Sequence, residues 1–273
     1  MIQIERIVRL MNAVIKKWFK DNEKKVSALA KKLWERPEIA MNEFFACKET
    51  ANFLKGNGFK INTYNCKDKN LPANTLIATW GTGKPVIGII GEYDALAGMG
   101  QDAVPYRSPK DGPGHGCGHN LMAPSCSAAA IAVKAAMEAE GLQGTIKFYG
   151  CPAEETIEGK LCMIRDGVFK DLDCITAWHP GPRNLQIREG IQSSLTNMKI
   201  EFFGSEAHAA VNPDKGRSAL DACEIMNVGV NYLREHCTDE VRIHYSYISA
   251  GEKPNVIPKY AALNYFAWKT WWD

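Results

Sequence analysis

The sequence predicts an α/β protein: a mostly parallel sheet flanked by helices, followed by a smaller α+β domain. Three observations carry this. Between 75 and 178, short apolar runs alternate with helix-forming stretches. One of those runs, Val86-Ile87-Gly88-Ile89-Ile90-Gly91, is apolar throughout, as in a sheet covered on both faces. From about 193 the order changes to strand, helix, strand, strand. The expected domains are therefore 1–192 and 193–273.

Residues 5–19 and 23–35 space Ile, Val, Leu and Trp at helical intervals and read as two helices, the second stopped by Pro37. A third helix runs over about 41–57 and ends near Gly56 and Gly58. Thr75 to Trp80 reads as a strand, Gly81-Thr82-Gly83 as a turn and 86–91 as the next strand, with Glu92-Tyr93-Asp94 at its end. The stretch 98–120, rich in glycine, proline and polar residues, is a loop. Ala123 to Glu140 is alanine-rich and strongly helix-forming. Thr145 to Gly150 is a strand, 160–168 a short helix, and Cys174 to Trp178 a strand ending at His179. In the second domain, strands at Ser194 to Phe203, Val241 to Ser249 and Ala261 to Trp268 pair antiparallel around a helix at Ala219 to Glu235.

Composition narrows the function classes. Hydrophobic residues make up 45% of the 273 and charged residues 23%, the balance of an ordinary globular protein. The net charge is only +2 and the basic residues are scattered, so neither nucleic acid nor a membrane surface is an expected partner. No stretch approaches the ~20 apolar residues that span a bilayer, and the first residues lack the pattern of a secretory leader. Nine cysteines without a Cys-x-x-Cys pair point to reduced thiols and a cytoplasmic setting.

The chemistry concentrates at 114–120, Gly-His-Gly-Cys-Gly-His-Asn, where three candidate ligands alternate with glycine. Farther on come Glu154-Glu155 and His179, each just after a strand, where open α/β sheets place their sites. A thiolate, imidazoles and a carboxylate make a transition-metal ligand set, and the second glutamate is free to move a proton. Each group alone has a plainer reading. Cys117 and His119 suit a buried thiol and a backbone-satisfied imidazole, Glu154-Glu155 two solvated carboxylates, and His179 a core histidine. It is their joint occurrence at strand ends that favours a metal centre. Asp94 is either a carboxylate that orients a ligand or a turn residue.

With Trp-His-Pro at 178–180, Pro-Ala-Glu-Glu at 152–155 and Ala-His-Ala-Ala at 207–210, the 114–120 motif resembles the M20 metallopeptidase/amidohydrolase family. The branch is that of the N-acyl-amino-acid and auxin-conjugate amidohydrolases. The resemblance covers roughly 25 to 268. It implies a zinc-peptidase-like catalytic domain with an inserted lid that often dimerises. Carried over residue by residue, it implies Cys117, His119, Glu155 and His179 as metal ligands and Glu154 as general base. His208 would reach into the site of a dimer partner and steady an oxyanion. That leaves His115 of the loop as a bystander or a residue that supports a ligand from behind. The implied cofactor is Mn²⁺ or Zn²⁺, as a pair. Asn120 departs from the more usual aspartate. Family members also return from the lid to complete the catalytic domain with a further histidine. This chain stops inside the lid, so the expectation is a C-terminally shortened chain, whether fragment, early stop or frameshift.

The expected function is metal-dependent hydrolysis of the amide bond of an N-acyl amino acid, with aminobenzoyl-glutamate the specific substrate. A homodimer through the lid, or pairing with a homologous second chain, is the expected assembly. Three rivals are a thiol hydrolase with Cys117 as nucleophile, a shortened inactive chain that binds metal or dimerises, and a dipeptidase of the same family.

Overall fold

The computed structural model describes residues 2–67, 74–181 and 193–270. The chain divides into two compact units, Met1–Arg183 and Asn184–Asp273. No helix among the described residues is long and apolar enough to cross a membrane.

The first unit opens with α1 (Ile2–Glu35) and α2 (Phe44–Gly56), followed by β1 (Lys60–Tyr64), β2 (Thr75–Thr82) and β3 (Val86–Glu92). After a long loop come α3 (His119–Ala139), β4 (Gly144–Cys151), α4 (Gly159–Arg165) and β5 (Cys174–Ala177). The strands order β1-β2-β4-β3-β5. The α/β architecture is as expected, but the sheet is mixed rather than mostly parallel. β3 runs parallel to β4 and β5, whereas β1 and β2 run antiparallel to their neighbours. The tight turn between β2 and β3 leads not to a hairpin but to β4 inserted between them, so β2 pairs with a later strand.

Helices cover both faces. Leu29 and Leu33 of α1, Leu54 of α2 and Met122 and Ile131 of α3 close over Leu76, Ala78, Ile146 and Phe148 of the sheet. On the other face Met163 of α4 lies against Tyr149 and Cys151, with Val168, Phe169 and Leu172 beside them. A buried aliphatic side chain of this size is worth roughly 1.5–3 kcal/mol.

Two local expectations are corrected. The two N-terminal helices are one, because the polar Asp21-Asn22 step does not break the helix. Asn22 Nδ2 bonds back to the Trp18 carbonyl at 2.9 Å, and Lys17 pairs with Asp21 one turn on at 2.6 Å. Cys66, just past β1, is disulfide-bonded to Cys162 of α4, so the thiols are not all reduced. The fold brings their Cα atoms to 6.2 Å, within reach of a bridge.

The second unit is a three-stranded antiparallel sheet, β6 (Ser193–Phe203), β8 (Tyr260–Thr270) and β7 (Arg242–Ser249) in that order, with α5 (Ala219–Leu233) on one face. Ala219 and Cys223 of α5 are buried with Ala261, Leu263 and Tyr265 of β8. Ser218 caps α5 by accepting the Asp221 N–H at 3.0 Å.

Candidate metal centre

The centre forms where β3 and β4 end and α3 begins. β3 delivers Glu92 as its last residue, then Tyr93 and Asp94, all buried. Reciprocal backbone bonds between Leu96 and Gly114, both 3.0 Å, fold the glycine-rich loop back beside this strand end. Gly114 must be glycine, since a Cβ there would stand 2.0 Å from the Met99 carbonyl oxygen. Gly118, at φ +84°, turns the chain into α3, so that His119 is its first residue.

His119 is wholly buried, and its Nδ1 lies 3.0 Å from both the Asp94 carbonyl oxygen and Asp94 Oδ1. Both are acceptors, so the ring proton resides on Nδ1. Nε2 then carries a lone pair and has no hydrogen-bond partner, although Glu92 Oε2 is 3.3 Å away and Glu154 Oε2 3.8 Å. Burial lowers the basicity of this imidazole, but Asp94, Glu92 and Glu155 outweigh it and raise its pKa above the usual value.

Past β4 the chain makes a strained turn. Ala153 adopts φ +52°, unusual for a residue with a Cβ, and its N–H is held at 2.6 Å by Oε1 of Glu43, a carboxylate with no exposed surface. Asp94 Oδ2 accepts the Glu155 N–H at 2.9 Å. These two carboxylates fix the dipeptide Glu154-Glu155 between them. Burial and Glu92 raise the pKa of Glu154, while Lys160, 3.9 Å away, opposes them. Glu155 Oε1 is buried without a partner.

Cys117 Sγ stands 3.2 Å from His179 Nε2, whose Nδ1 lies 2.9 Å from the Pro180 carbonyl oxygen. The rings of His119 and His179 meet edge to face at 5.4 Å. Burial, then Glu155 and Glu154, push the Cys117 thiol up to about 12. Donor atoms of Cys117, His119 and His179 lie within 4.8 Å of one another, and so do those of Glu92, His119 and Glu154. The donors suit a divalent transition ion. The orphaned Nε2 of His119, the orphaned Oε1 of Glu155 and a thiol hemmed in by carboxylates are each what a bound cation would satisfy.

The structure thus gathers Cys117, His119, Glu154 and His179 in the first unit, with Glu155 beside Cys117 but in neither group of close donor atoms. His208 belongs to the second unit, where it is exposed and its Nδ1 accepts the Ala210 N–H at 3.2 Å. His115 turns to α1, with Nε2 3.2 Å from the Leu33 carbonyl oxygen, and burial lowers its pKa to about 4. Asn120 also faces α1, its amide 3.5 Å from the Ala30 carbonyl oxygen, so the missing carboxylate there is no gap in the donor set. Sequence reasoning assigned no role to Glu43, Glu92 or Lys160, although Glu92 stands with Asp94 at the end of an apolar strand.

The model of peptidase family M20/M25/M40 matches residues 88–242. The B chain of the p-aminobenzoyl-glutamate hydrolase of Escherichia coli (strain K12) is 44% identical over 245 residues, 87% of this chain and 49% of that protein. The A chain of the same hydrolase is 30% identical over 69% of this chain and 46% of its own length. The chain thus spans about half the length of these curated relatives. An aminobenzoyl-glutamate utilization protein from Klebsiella pneumoniae shares the fold, with TM-score 0.64 at 20% identity over 93% of this chain and 69% of that one. A dinuclear metal-binding M20 peptidase from Bacillus subtilis gives TM-score 0.60 at 22% identity, over 92% and 65%. With its candidate donor cluster lying inside the matched segment, the chain belongs to peptidase family M20/M25/M40.

Proposed function

We propose that the first unit carries the metal centre of an amidohydrolase that cleaves the amide bond of an N-acyl amino acid, with p-aminobenzoyl-glutamate the specific substrate. The observation that carries this reading is the bare, buried Nε2 of His119 set among Cys117, His179, Glu92 and Glu154. The relatives named for p-aminobenzoyl-glutamate hydrolysis support the substrate. Cys117, His119, Glu155 and His179 would hold the ion, zinc or manganese. The B. subtilis neighbour described as dinuclear supports a pair. A divalent ion bound here would acidify a water and polarise the amide carbonyl.

The chain's own residues do the rest. The Glu154 side chain keeps 33% of its surface exposed, so it can meet both water and substrate. Its raised pKa suits a group that takes a proton from the attacking water and returns it to the leaving amine. Asp94 keeps the His119 ring and the Glu155 backbone in register. With Ala210 bonded to its Nδ1, His208 keeps a proton on Nε2, the donor an oxyanion needs. That oxyanion would lie in the site of a dimer partner, with pairing through the second unit. The two E. coli relatives, named as different chains of one hydrolase, support a homologous chain in the role of partner.

The close Cys117–His179 pair also suits a thiol hydrolase. A thiol held near pKa 12 by burial and carboxylates is a poor nucleophile without a cation, which favours the ligand role. Glu154→Gln tests the proposal. It should retain its metal and lose about 10²–10⁴-fold in turnover of p-aminobenzoyl-glutamate. Near-normal turnover in that variant would overturn the mechanism.

A further inference from the structure

Resting on the metal-centre reading above, we infer that Glu92 is an additional metal ligand, alongside His119, and that Lys160 orients it by holding its other oxygen. The starting point is an electrostatic conflict. Nδ1 of His119 faces two acceptors of Asp94 and therefore carries the proton, which leaves Nε2 as a lone pair. That lone pair faces Glu92 Oε2 at 3.3 Å, with the imidazole wholly buried and Glu92 only 5% exposed. A lone pair facing a carboxylate oxygen out of water is repulsive unless a metal ion or a proton lies between them, and the donor atoms of Glu92, His119 and Glu154, all within 4.8 Å of one another, suit the metal ion. Asp94 fixes the ring from behind, so rotation cannot relieve the conflict.

Lys160 explains why Glu92 stays. Its ammonium, on the first turn of α4, donates to Glu92 Oε1. One oxygen of the carboxylate is thereby neutralised by the chain itself. The other is left directed at His119 Nε2 and at Glu154 Oε2, 3.8 Å from the same nitrogen. That is the geometry of a carboxylate binding an ion through one oxygen while a charged partner holds the second. Glu92 and Glu154 form one group of close donor atoms with His119, and Cys117 and His179 form another with the same imidazole. Glu92 thus extends the set beyond the residues that the 114–120, 152–155 and 178–180 motifs supply.

The test compares the wild-type chain with Glu92→Gln and Lys160→Met, each stripped and reloaded with Zn²⁺, Mn²⁺ or Co²⁺. Bound metal per chain, affinity against a competing chelator and the Co²⁺ absorption spectrum are recorded. Glu92→Gln should bind at least about tenfold more weakly, the lower end of what losing a supporting partner costs. Its Co²⁺ bands should shift as an oxygen donor is lost. Lys160→Met, which keeps the carboxylate but frees it, should change the spectrum less. Should Glu92→Gln be poorly folded by circular dichroism, Glu92→Asp replaces it, with the same loss expected from its shorter reach. Unchanged stoichiometry, affinity and spectrum in the folded variant overturn the inference and leave the metal centre standing. That result would mean a proton, not a metal ion, separates His119 from Glu92. A wild-type chain that binds none of the three ions overturns both.

Discussion

Asp94 and His119, 25 residues apart, meet at 3.0 Å between Oδ1 and Nδ1, both side chains shut off from solvent. The same carboxylate uses Oδ2 to accept the Glu155 N–H at 2.9 Å. One residue, through its carboxylate and its own carbonyl, therefore sets the tautomer of one candidate ligand and, through the carboxylate, the backbone of another. Asp94→Asn cannot do both, since an amide has one acceptor oxygen. In either flip, one N–H is left facing an NH₂ group. Metal affinity should fall about 10–100-fold, measured by titration against a competing chelator. Wild-type affinity in this variant would show that the contact is incidental.

Glu43 yields a prediction with a pH signature. Its buried carboxyl is raised from an ordinary 4.5 to about 7, chiefly by burial, partly offset by the Ala153 N–H. Between those values the folded state binds more protons than the unfolded one. The stability this group contributes is therefore full below about pH 4.5 and is lost as pH rises through about 7. Glu43→Gln keeps an acceptor for Ala153 and cannot ionise. From pH 4 to pH 8 its stability relative to wild type should improve by about 3 kcal/mol. Urea unfolding at both pH values checks this, and a pH-independent difference would refute it.

Much of the candidate site is legible because its members announce themselves locally. Cys117 and His119 share a glycine-spaced loop, and Glu154, Glu155 and His179 each follow an apolar strand. What holds them is not local. Glu43 reaches Ala153 across 110 residues and Lys160 reaches Glu92 across 68. An acid before α2 or a lysine on a short helix reads as solvated until the fold brings its partner near. The mixed sheet is hidden for a similar reason. Val86 to Gly91 reads as a strand either way, and only the insertion of β4 beside β2 reveals which neighbours run antiparallel. β1 goes unread because KINTY is short, polar and at the sheet edge, with little apolar alternation. α1 reads as two helices because Asp21-Asn22 looks like a break, and the Asn22 bond to the Trp18 carbonyl has no sequence signature.

Two glycines separate the needs of the turn from those of the fold. A Cβ on Gly159 would stand 2.0 Å from the Pro152 carbonyl oxygen, which is backbone and cannot swing aside. Pro152 precedes the strained Ala153, so any accommodation must shift the turn that carries Glu154 and Glu155. Gly229, inside α5, has nothing within 4 Å of its Cβ position. Gly159→Ala should lose about 1–3 kcal/mol, as overpacked sites do. Its metal affinity should drop too, because Glu155 moves. Gly229→Ala should instead gain roughly 0.5–1 kcal/mol, by restricting the unfolded chain within a helix, and should leave metal binding untouched. Thermal melts and chelator titrations of the two variants read both effects. If Gly159→Ala matches wild type in both, the 152–159 turn is not the rigid support proposed for the glutamate pair.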